Sequence, residues 1–509
     1  MQHRALRHGE IELKFGIAAP SVAAVDRAMT GRGARSIAIE SRYWDSHDLR
    51  LARANLSLRL RKSQGRWEQT VKAPGSNPAE RLEETVPRRG ILAGEAPKPD
   101  LSLHAGTRAG HLLDDALGNP VAPLELVHTT RVRRRLRVVE VGGSAVEVAF
   151  DRGEIEAGGR SLPICEVEAE LKHGRAVDLI EFGRRGIDAH AMWLSTTTKS
   201  ARGNLLAQGS GDVLPAVKAE RPIFDTNATG NAIFHAALGS CLDQVLANAS
   251  IVASGSFDDE VVHQLRIGLR RMRTAWREMP AWRGDLSGWP EPAADVFRAL
   301  GVERDRRTVA AALRQPLRDA GSPDPDLRAP PGAQHVDVVE LVRGKDFQHA
   351  LLDLLEFAVD PQSASDRDDD RDRRQAANEP PRAVLARRLD KLHGRLGRDA
   401  KRFVDLSNVE RHAVRKRLKR LRYLTELVAP LFKKRSVARF LAALEPGQDE
   451  LGRYVDLLVA GRLSRELAEA GDSGAWFNVG WLQAREAQAI RRCSAALREV
   501  ADASPFWRQ

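Results

Sequence analysis

Charged residues occupy alternate positions in the stretch EIELK, which runs from Glu10 to Lys14. Successive side chains of a β-strand point to opposite faces, so Glu10, Glu12 and Lys14 would share one face while Ile11 and Leu13 take the other. Carboxylates on one face offer the hard oxygen ligands that Mg²⁺ and Mn²⁺ prefer. The spacing therefore predicts a strand with one densely charged face that suits ion binding.

Several other strand-like segments repeat this alternation. They contain Arg59 and Arg61 in LSLRLRK, Lys72 after Gln69 and Thr70, and Glu166, Glu168 and Glu170 in CEVEAE. For a single strand, a water-facing sheet is the simpler interpretation. Because several strands share the pattern, a closed barrel with an ionic interior and helices packed outside accounts for both faces. Facing acidic pairs inside it would hold Mg²⁺ or Mn²⁺, which would bridge glutamate to phosphate.

The elements that would position these residues change type near residue 205. Strand-like segments recur before it, with helical patterns at SVAAVDRAMTGRG and AVDLIEFGRRG, and nearly everything after it has Ala, Leu and Arg at helical spacing. We predict an α+β domain with a large antiparallel sheet at 1–205, a linker at 206–225 and an all-helical domain at 226–509. Segments from Gly321 and Pro361 are rich in Pro or charge and are predicted exposed loops.

A basic stripe occurs twice in the helical half, in VHQLRIGLRRMR and ERHAVRKRLKRLRY. Aligned on His263 and His412, the two segments place basic residues at the same offsets, which indicates an internal duplication and two related bundles. Offsets of 3, 7 and 10 fall on one helix ridge. A solvated basic face is the usual interpretation of one such helix, and its repetition favours anion binding.

Composition narrows the class of protein. The chain has 509 residues, a formal net charge of +11 and a pI of about 9.8, which favours polyanionic partners. Three widely spaced cysteines lack the spacing of a zinc site or disulfide framework, and the N-terminus lacks the apolar region of a signal peptide. Aromatic residues are not interspersed among the basic residues of the stripes, which disfavours single-stranded nucleic acid as the partner. We expect a cytoplasmic protein without a membrane span.

The ordered series EIELK, YWDSHDLRLARANLSLRLRK, TVKAP, RLEE, CEVEAE and TKSARG resembles the CYTH family of triphosphate tunnel enzymes over residues 9–205. The resemblance implies an eight-stranded antiparallel tunnel that binds a triphosphate, with Mg²⁺ or Mn²⁺ held by acidic residues of the first strand and of a late strand. The implied metal ligands are Glu10, Glu12, Glu168 and Glu170, and Glu166 offers an alternative to one of them.

The same resemblance implies roles for the basic residues. Lys14 joins Glu10 and Glu12 in the catalytic group, where it orients the attacking water or neutralises the terminal phosphate. The implied phosphate-binding residues are Arg59, Arg61, Lys72, Arg131, Lys199 and Arg202, with Arg133, Glu83 and Asp151 as secondary candidates. Trp44 and Trp67 suit stacking on an organic group, although buried packing is the simpler interpretation.

The two basic segments resemble the CHAD domain, a helical domain found behind CYTH domains, over about residues 226–509. The resemblance implies that the two basic ridges face each other and bind inorganic polyphosphate. The implied polyphosphate-binding residues are His263, Arg266, Arg270, Arg273, His412, Arg415, Lys419 and Arg422.

These resemblances predict metal-dependent hydrolysis of inorganic triphosphate to pyrophosphate and phosphate, with polyphosphate binding by the helical half. Two alternatives stay open. One is a polyphosphate-binding protein without catalysis that targets polyphosphate granules. The other is a CYTH enzyme that acts on an organic triphosphate, such as a thiamine triphosphatase or an adenylate cyclase.

Overall fold

The computed structural model describes residues 10–74, 80–89, 96–209, 213–283, 289–328, 336–359 and 379–508. For Glu10, Pro74, Glu80, Arg81 and residues 302–308 it describes the backbone alone. The predicted loop from Pro361 lies almost entirely outside the described residues, and the one from Gly321 lies partly outside them. Within the described part, Gly321 to Arg328 form turns and irregular backbone, as predicted.

The N-terminal region is built mainly from strands. They are β1 Glu10–Gly16, β2 Arg35–Ser46, β3 Ser57–Ser63, β4 Arg66–Pro74, β5 Glu80–Arg88, β6 Leu124–Val141, β7 Ser144–Ala157, β8 Arg160–His173 and β9 Trp193–Leu194. The helices between and after them are α1 Val22–Ala28, α2 Arg50–Arg53, α3 Arg108–Leu117, α4 Ala176–His190 and α5 Lys199–Ala207. The predicted α+β class of this half is confirmed.

The second half is helical, as predicted. Its helices are α6 Gly230–Ser254, α7 Asp259–Glu278, α8 Pro290–Asp319, α9 Val338–Arg343, α10 Lys345–Val359, α11 Pro381–Lys401, α12 Asn408–Val428, α13 Lys434–Glu469 and α14 Ala475–Asp502. Ser407 and Glu410 form a capping box that satisfies backbone N–H groups at the start of α12. The two basic segments of the sequence lie on α7 and α12.

The strands form one antiparallel sheet in the order β5-β4-β3-β2-β6-β7-β8-β1-β9. The two residue pairs Glu10–Arg81 and Ile11–Glu80 also join β5, at one end of this order, to β1 near its other end, so in the described residues the two sides meet over a short stretch rather than along a full strand. The predicted antiparallel tunnel sheet is confirmed in type. Its described part has nine strands where eight were predicted, because the short β9 pairs with β1 at Phe15 and Gly16.

Apolar side chains of the sheet pack against helices on the outer face. Leu58 and Val71 pack with Leu113 and Leu117 of α3, and Leu51 of α2 joins the same cluster. A second cluster packs β6, β7 and β8 against α5. Burial of these side chains stabilises the fold by about 1.5–3 kcal/mol each. The opposite face of the strands is thereby left for polar residues.

The chain divides into two compact units whose boundaries cross the helical half. The first unit consists of residues 1–217, 245–261 and 339–363, and the second consists of 218–244, 262–338 and 364–509. Helix α10 and the C-terminal part of α6 therefore belong to the unit that contains the sheet. The boundaries at 205 and 226 stay a prediction from the sequence.

Helix α6 is unusually apolar. Its length and its mean hydropathy of 1.3 over an 18-residue window are sufficient for a membrane span. The sequence analysis, in contrast, predicts a protein without a membrane span. However, 72% of that window is buried inside the protein. This burial is also what the core helix of a soluble protein shows, so the composition of α6 is no more than weak support for a membrane span.

Candidate functional site

A cavity of about 750 Å³ lies in the first unit, and alternate residues of the strands line it. β3 contributes Arg59 and Arg61, β7 contributes Asp151, and β8 contributes Glu168 and Glu170. The other charged residues that line it are Glu12, Lys14, Lys72, Glu83, Arg134, Glu147, Lys172 and Lys199. The predicted ionic interior is therefore present, with the apolar residues of the same strands on the outer face.

Carboxylates converge at one position in this region. Asp151, Glu166 and Glu168 each have a carboxylate oxygen within 4.8 Å of the others. The Nζ atom of Lys199 lies 2.8 Å from Asp151 Oδ2 and 2.9 Å from Glu168 Oε1, and it also contacts Glu166. Arg134 donates to both oxygens of Asp151 at 2.7 Å and to Glu168 Oε2 at 2.5 Å. This cluster thus pairs three acidic groups with two cations.

Nearby positive charge affects the pKa of Asp151 and of Glu168 more than burial does. Burial alone would raise the pKa of Glu168, but Lys199 and Arg134 hold that pKa well below its usual range. The same two cations lower the pKa of Asp151. Burial lowers the pKa of the Lys14 ammonium, and the nearby Lys199 adds to that effect. The carboxylates of Asp151 and Glu168 are therefore ionised at neutral pH and available to a cation.

The carboxylate set fits a hard divalent cation. Asp151, Glu166 and Glu168 offer only oxygen donors, which Mg²⁺ and Mn²⁺ prefer. Of the predicted ligands, Glu168 belongs to this set, while Glu12 and Glu170 line the cavity directly opposite each other in the β1–β8 register. The backbone of Glu10 pairs with Arg81, and its side chain lies outside the described residues. The structure thus brings Asp151, a secondary candidate, to the centre of the acidic cluster.

Glu147, an acidic residue that sequence reasoning missed, shares a cation with the predicted ligand Glu170. Lys172 Nζ lies 2.6 Å from Glu170 Oε1 and 3.3 Å from Glu147 Oε1, and Glu147 is opposite Glu170 in the β7–β8 register. The signal for Glu147 was present in AVEVAFD, where it shares a face with Asp151 at a spacing of four residues.

A basic cluster lines another part of the cavity. Arg59 Nη2 lies 3.1 Å from Glu83 Oε1, and Lys72 contacts the other oxygen of Glu83. Among the described residues Arg61 makes no ion pair with a carboxylate, and its Nε is buried without a hydrogen-bond partner. The neighbouring Arg59, together with burial and Arg134, lowers the pKa of Arg61 to about 10. Positive charge here is therefore only partly compensated.

Three of the predicted phosphate-binding residues, Arg131, Arg133 and Arg202, are not among the residues that line the cavity. Arg131 pairs with Glu156, Arg202 Nη2 donates to the carbonyl oxygen of Pro163 at 2.5 Å, and Arg133 lines a separate outer cavity of about 550 Å³. On β6 it is Thr130, Val132 and Arg134 that line the cavity. Arginines occur at both odd and even positions of β6, so the alternation of residues could not show which arginines point into the cavity.

The basic ridges of the second unit lie on α7 and α12. The guanidinium carbons of Arg266, Arg270 and Arg273 lie 5.2, 5.1 and 5.8 Å from the centroid of the Phe297 ring. Burial lowers the pKa of His412, and so do the charges of Lys416, Arg415, Lys419 and Arg270. Arg270 of α7 is therefore close enough to α12 to affect His412.

Other members of these two helices have structural partners. Arg422 lies 2.8 Å from Glu426 and 2.9 Å from Gln448. Arg271, adjacent to Arg270, is 2% exposed and donates to Gln244, Ser240 and the carbonyl oxygen of Glu220. His263, Arg415 and Lys419 are half-buried on the predicted ridges. Helices α7 and α12 thus carry both half-buried and internal cations.

Comparison with known proteins places both halves in families. The CYTH domain family matches residues 8–203 and the CHAD domain family matches residues 236–465. An inorganic triphosphatase of Haemophilus influenzae is 31% identical over 167 residues, which cover 32% of this chain and 44% of that protein. The chain thus spans less than half the length of this relative.

Two solved structures are also similar. The CHAD domain of the plant Ricinus communis is 25% identical, with a TM-score of 0.42, over 56% of this chain and 96% of that one. A Hippeastrum protein, assigned as an adenylyl cyclase and showing a dominant triphosphatase activity, is 18% identical, with a TM-score of 0.29, over 40% of this chain and 98% of that one. The two family matches together show that this chain contains a CYTH domain followed by a CHAD domain.

Proposed function

We propose that the cavity of the CYTH domain hydrolyses inorganic triphosphate to pyrophosphate and phosphate with Mg²⁺ or Mn²⁺, and that the CHAD domain binds polyphosphate. The observation that carries the first part is the crowding of Arg59, Arg61 and Arg134 along one cavity. Like charges held together in a buried space raise the energy of the empty site. A polyanion offsets that cost, and the inorganic triphosphatase activity of the H. influenzae relative supports the same substrate.

The residues of the cavity supply most of what phosphoryl transfer requires, which is positioning and neutralisation of charge on phosphate oxygens. Arg59, Arg61 and Lys72 would bind non-bridging oxygens, with the forked guanidinium groups holding two oxygens at a time. Arg134 and Lys199 would lie at the boundary between substrate and carboxylates, since both already contact Asp151 and Glu168.

Asp151, Glu166 and Glu168 are the residues that would hold a divalent cation, with Glu12 and Glu170 on the same wall of the cavity. When bound, the cation supplies charge neutralisation and a water molecule of lowered pKa. A carboxylate of the cluster would accept the proton of the attacking water, and Lys14 would neutralise the terminal phosphate. A protein that only binds anions gains nothing from these carboxylates, which argues against the non-catalytic alternative.

The second part of the proposal is supported by the two ridges. Arg270 and Arg273 on α7, with Lys419 on α12, present positive charge at regular spacing, which suits a polymer with about one negative charge per phosphate. We further propose a cytoplasmic location, with association to polyphosphate granules as an additional role. The low aromatic content of 5% supports polyphosphate over nucleic acid as the partner.

Phosphate release from triphosphate, ATP and thiamine triphosphate, each with Mg²⁺ and with Mn²⁺, tests the proposed reaction. We expect inorganic triphosphate to be the preferred substrate. Glu168→Gln should lower kcat by about 100-fold or more, because one ligand and its charge are lost. Glu156→Gln is the matched control, because Glu156 lies on the same sheet and pairs with Arg131 outside the cavity. Preference for ATP or thiamine triphosphate would favour the organic substrate, and full activity of Glu168→Gln would contradict the site.

A further inference from the structure

The wall of the cavity beside β1 is completed by residues that are not part of a long strand. Within the described part of the chain, β5 pairs with β1 at Glu10 and Ile11, and β9 pairs with β1 at Phe15 and Gly16. The backbone N–H of Ser195 then donates to the carbonyl oxygen of Lys14 at 2.8 Å. Residues 194–199 line the cavity. This wall segment, residues 194–199, therefore fills the edge that β5 leaves open.

The wall segment connects two lysines of the candidate site. Lys14 Nζ donates to the carbonyl oxygen of Thr197. Thr198 caps α5 by accepting from the N–H of Ala201 at 3.0 Å, and α5 begins at Lys199, which contacts the acidic cluster. The path of residues 195–198 consequently determines where both ammonium groups lie.

Helix α6 holds this segment from behind through one buried hydroxyl. Ser250, which is 2% exposed, accepts from the N–H of Thr196 at 3.0 Å. Its Oγ also lies 3.1 Å from Thr197 Oγ1 and 3.3 Å from Ser195 Oγ. One side chain thus reaches three consecutive residues of the wall segment. Because an unsatisfied buried amide is costly, these bonds fix the backbone at this point.

Helix α10 holds the start of the same segment. Gln348, 1% exposed, accepts from the N–H of Leu194 at 2.8 Å through its Oε1 and donates to the carbonyl oxygen of Val342 at 2.7 Å. Leu246, Ala247 and Ile251 of α6 and Leu355 of α10 also line the cavity. All of these residues belong to the first compact unit, although the CHAD family match contains them.

We infer that Ser250 and Gln348 are positioning residues for Lys14 and Lys199, so that catalysis in the CYTH cavity depends on two helices from the CHAD half of the chain. Neither residue is expected to touch substrate. Each acts by fixing the backbone that places the two ammonium groups. For its catalytic consequence, this inference rests on the proposed triphosphatase activity.

The test uses full-length Ser250→Ala and Gln348→Ala, with Ser254→Ala as the matched control. Ser254 lies on the same helix, is exposed, and among the described residues bonds to the carbonyl oxygen of Ile251 and the N–H of Ser256. Two readouts are needed. One is kcat and KM for inorganic triphosphate at saturating Mg²⁺. The other is the rate at which an amine-reactive reagent labels Lys14 and Lys199 in ligand-free protein, followed by peptide mass spectrometry.

We expect Ser250→Ala to lower kcat/KM by about 10-fold or more, which corresponds to loss of a single buried hydrogen bond, with most of the effect in kcat. Lys14 or Lys199 should be labelled faster than in the wild type, and Ser254→Ala should match the wild type in both readouts. Gln348→Ala should change both readouts in the same direction, and it decides the outcome if Ser250→Ala does not fold.

Two results would overturn the inference. One is a folded Ser250→Ala with wild-type labelling and wild-type kinetic constants, and the other is a loss of thermal stability with neither labelling nor kinetics changed. The labelling experiment needs no turnover. A wild-type protein that releases no phosphate would therefore refute the proposed function, while the labelling rates would still decide whether the helices position the lysines.

Discussion

Arg61 has a different electrostatic setting from the other arginines of the cavity. Arg59 is paired with Glu83, and Arg134 is paired with Asp151 and Glu168. Arg61 instead lies beside two guanidinium groups, which together with burial lower its pKa to about 10. A charge kept in such a place is costly to the free protein, so its placement is explained best by an anion that binds there.

Arg61→Ala should therefore weaken substrate binding without harming the fold. We expect KM for triphosphate to rise by about 10- to 100-fold, as for loss of a charge-assisted hydrogen bond. The thermal midpoint should stay the same or rise, because repulsion with Arg59 and Arg134 is removed. Steady-state kinetics and thermal unfolding check the two effects, with Arg131→Ala as the control outside the cavity. An unchanged KM would remove Arg61 from the phosphate-binding group.

Glu83 gives a prediction about pH. Burial opposes its ionisation, but Arg59 and Lys72 lower its pKa to about 2. A carboxyl group whose pKa is depressed by folding stabilises the protein above its unfolded pKa, and this contribution is lost as pH falls toward the folded pKa. The contribution of Glu83 is thus complete above about pH 5 and declines between about pH 4.5 and 2.

Glu83→Gln should accordingly be less stable than the wild type at pH 7, by roughly 2–4 kcal/mol. The difference should shrink as pH is lowered from 5 toward 2, because wild-type Glu83 is then protonated as well. Thermal midpoints measured across this pH range follow the effect, and Glu156→Gln serves as the control at a half-buried carboxylate outside the cavity. A stability difference that stays constant with pH would show that packing, and not charge, accounts for the loss.

At the scale of the element, the alternation of charged residues indicated which face of β1, β3 and β8 lines the cavity, but it did not do so for β6. In β1 and β8, and in β3 apart from Lys62, the charged residues of the predicted site occupy alternate positions, so that set was predicted to face the interior. β6 contains Arg131, Arg133, Arg134 and Arg135, and its inward parity follows from its neighbour, where Arg134 is opposite the buried Asp151. Register between distant strands is tertiary information, which a single strand does not contain.

In the helices too, spacing in the sequence does not show which basic residues become internal. The basic stripe of α7 was recognised from spacing, but Arg270 and Arg271 differ in role although they are adjacent. Arg270 is half-buried on the ridge near Phe297, whereas Arg271 is enclosed by Gln244, Ser240 and the carbonyl oxygen of Glu220. The sequence identifies which residues share a ridge, and packing decides which of the remaining cations are internal.

Adjacent substitutions on α7 should therefore give opposite phenotypes. Arg270→Ala should weaken polyphosphate binding and reduce the slope of log affinity against log salt by about one, with the fold intact. Arg271→Ala should cost about 2–4 kcal/mol of stability, because a buried side chain is removed and its hydrogen-bond partners are left unsatisfied. Titration with polyphosphate at several salt concentrations, together with thermal unfolding, separates the two. Equal effects of both variants on binding would contradict the ridge.

At the scale of the whole molecule, two proposed binding regions with different chemistry occur in one chain. The cavity combines cations with carboxylates, whereas the ridges of α7 and α12 are dominated by cations. The proposed reaction thus depends on a divalent cation, and the proposed polyphosphate binding depends on counterion release alone. The two functions should consequently respond to different changes in solution conditions.

Chelation of divalent cations should separate the two functions in the intact protein. With EDTA present, phosphate release from triphosphate should fall to background, because like-charged carboxylates and phosphate then lack the cation that lets them coexist. Polyphosphate affinity should change by less than about twofold at constant ionic strength, since the ridges contain no carboxylate cluster among their predicted binding residues. Arg270→Ala should show the reverse, with weaker polyphosphate binding and wild-type hydrolysis of triphosphate. Loss of both functions on chelation would mean that polyphosphate also binds through the cation, and hence within the cavity.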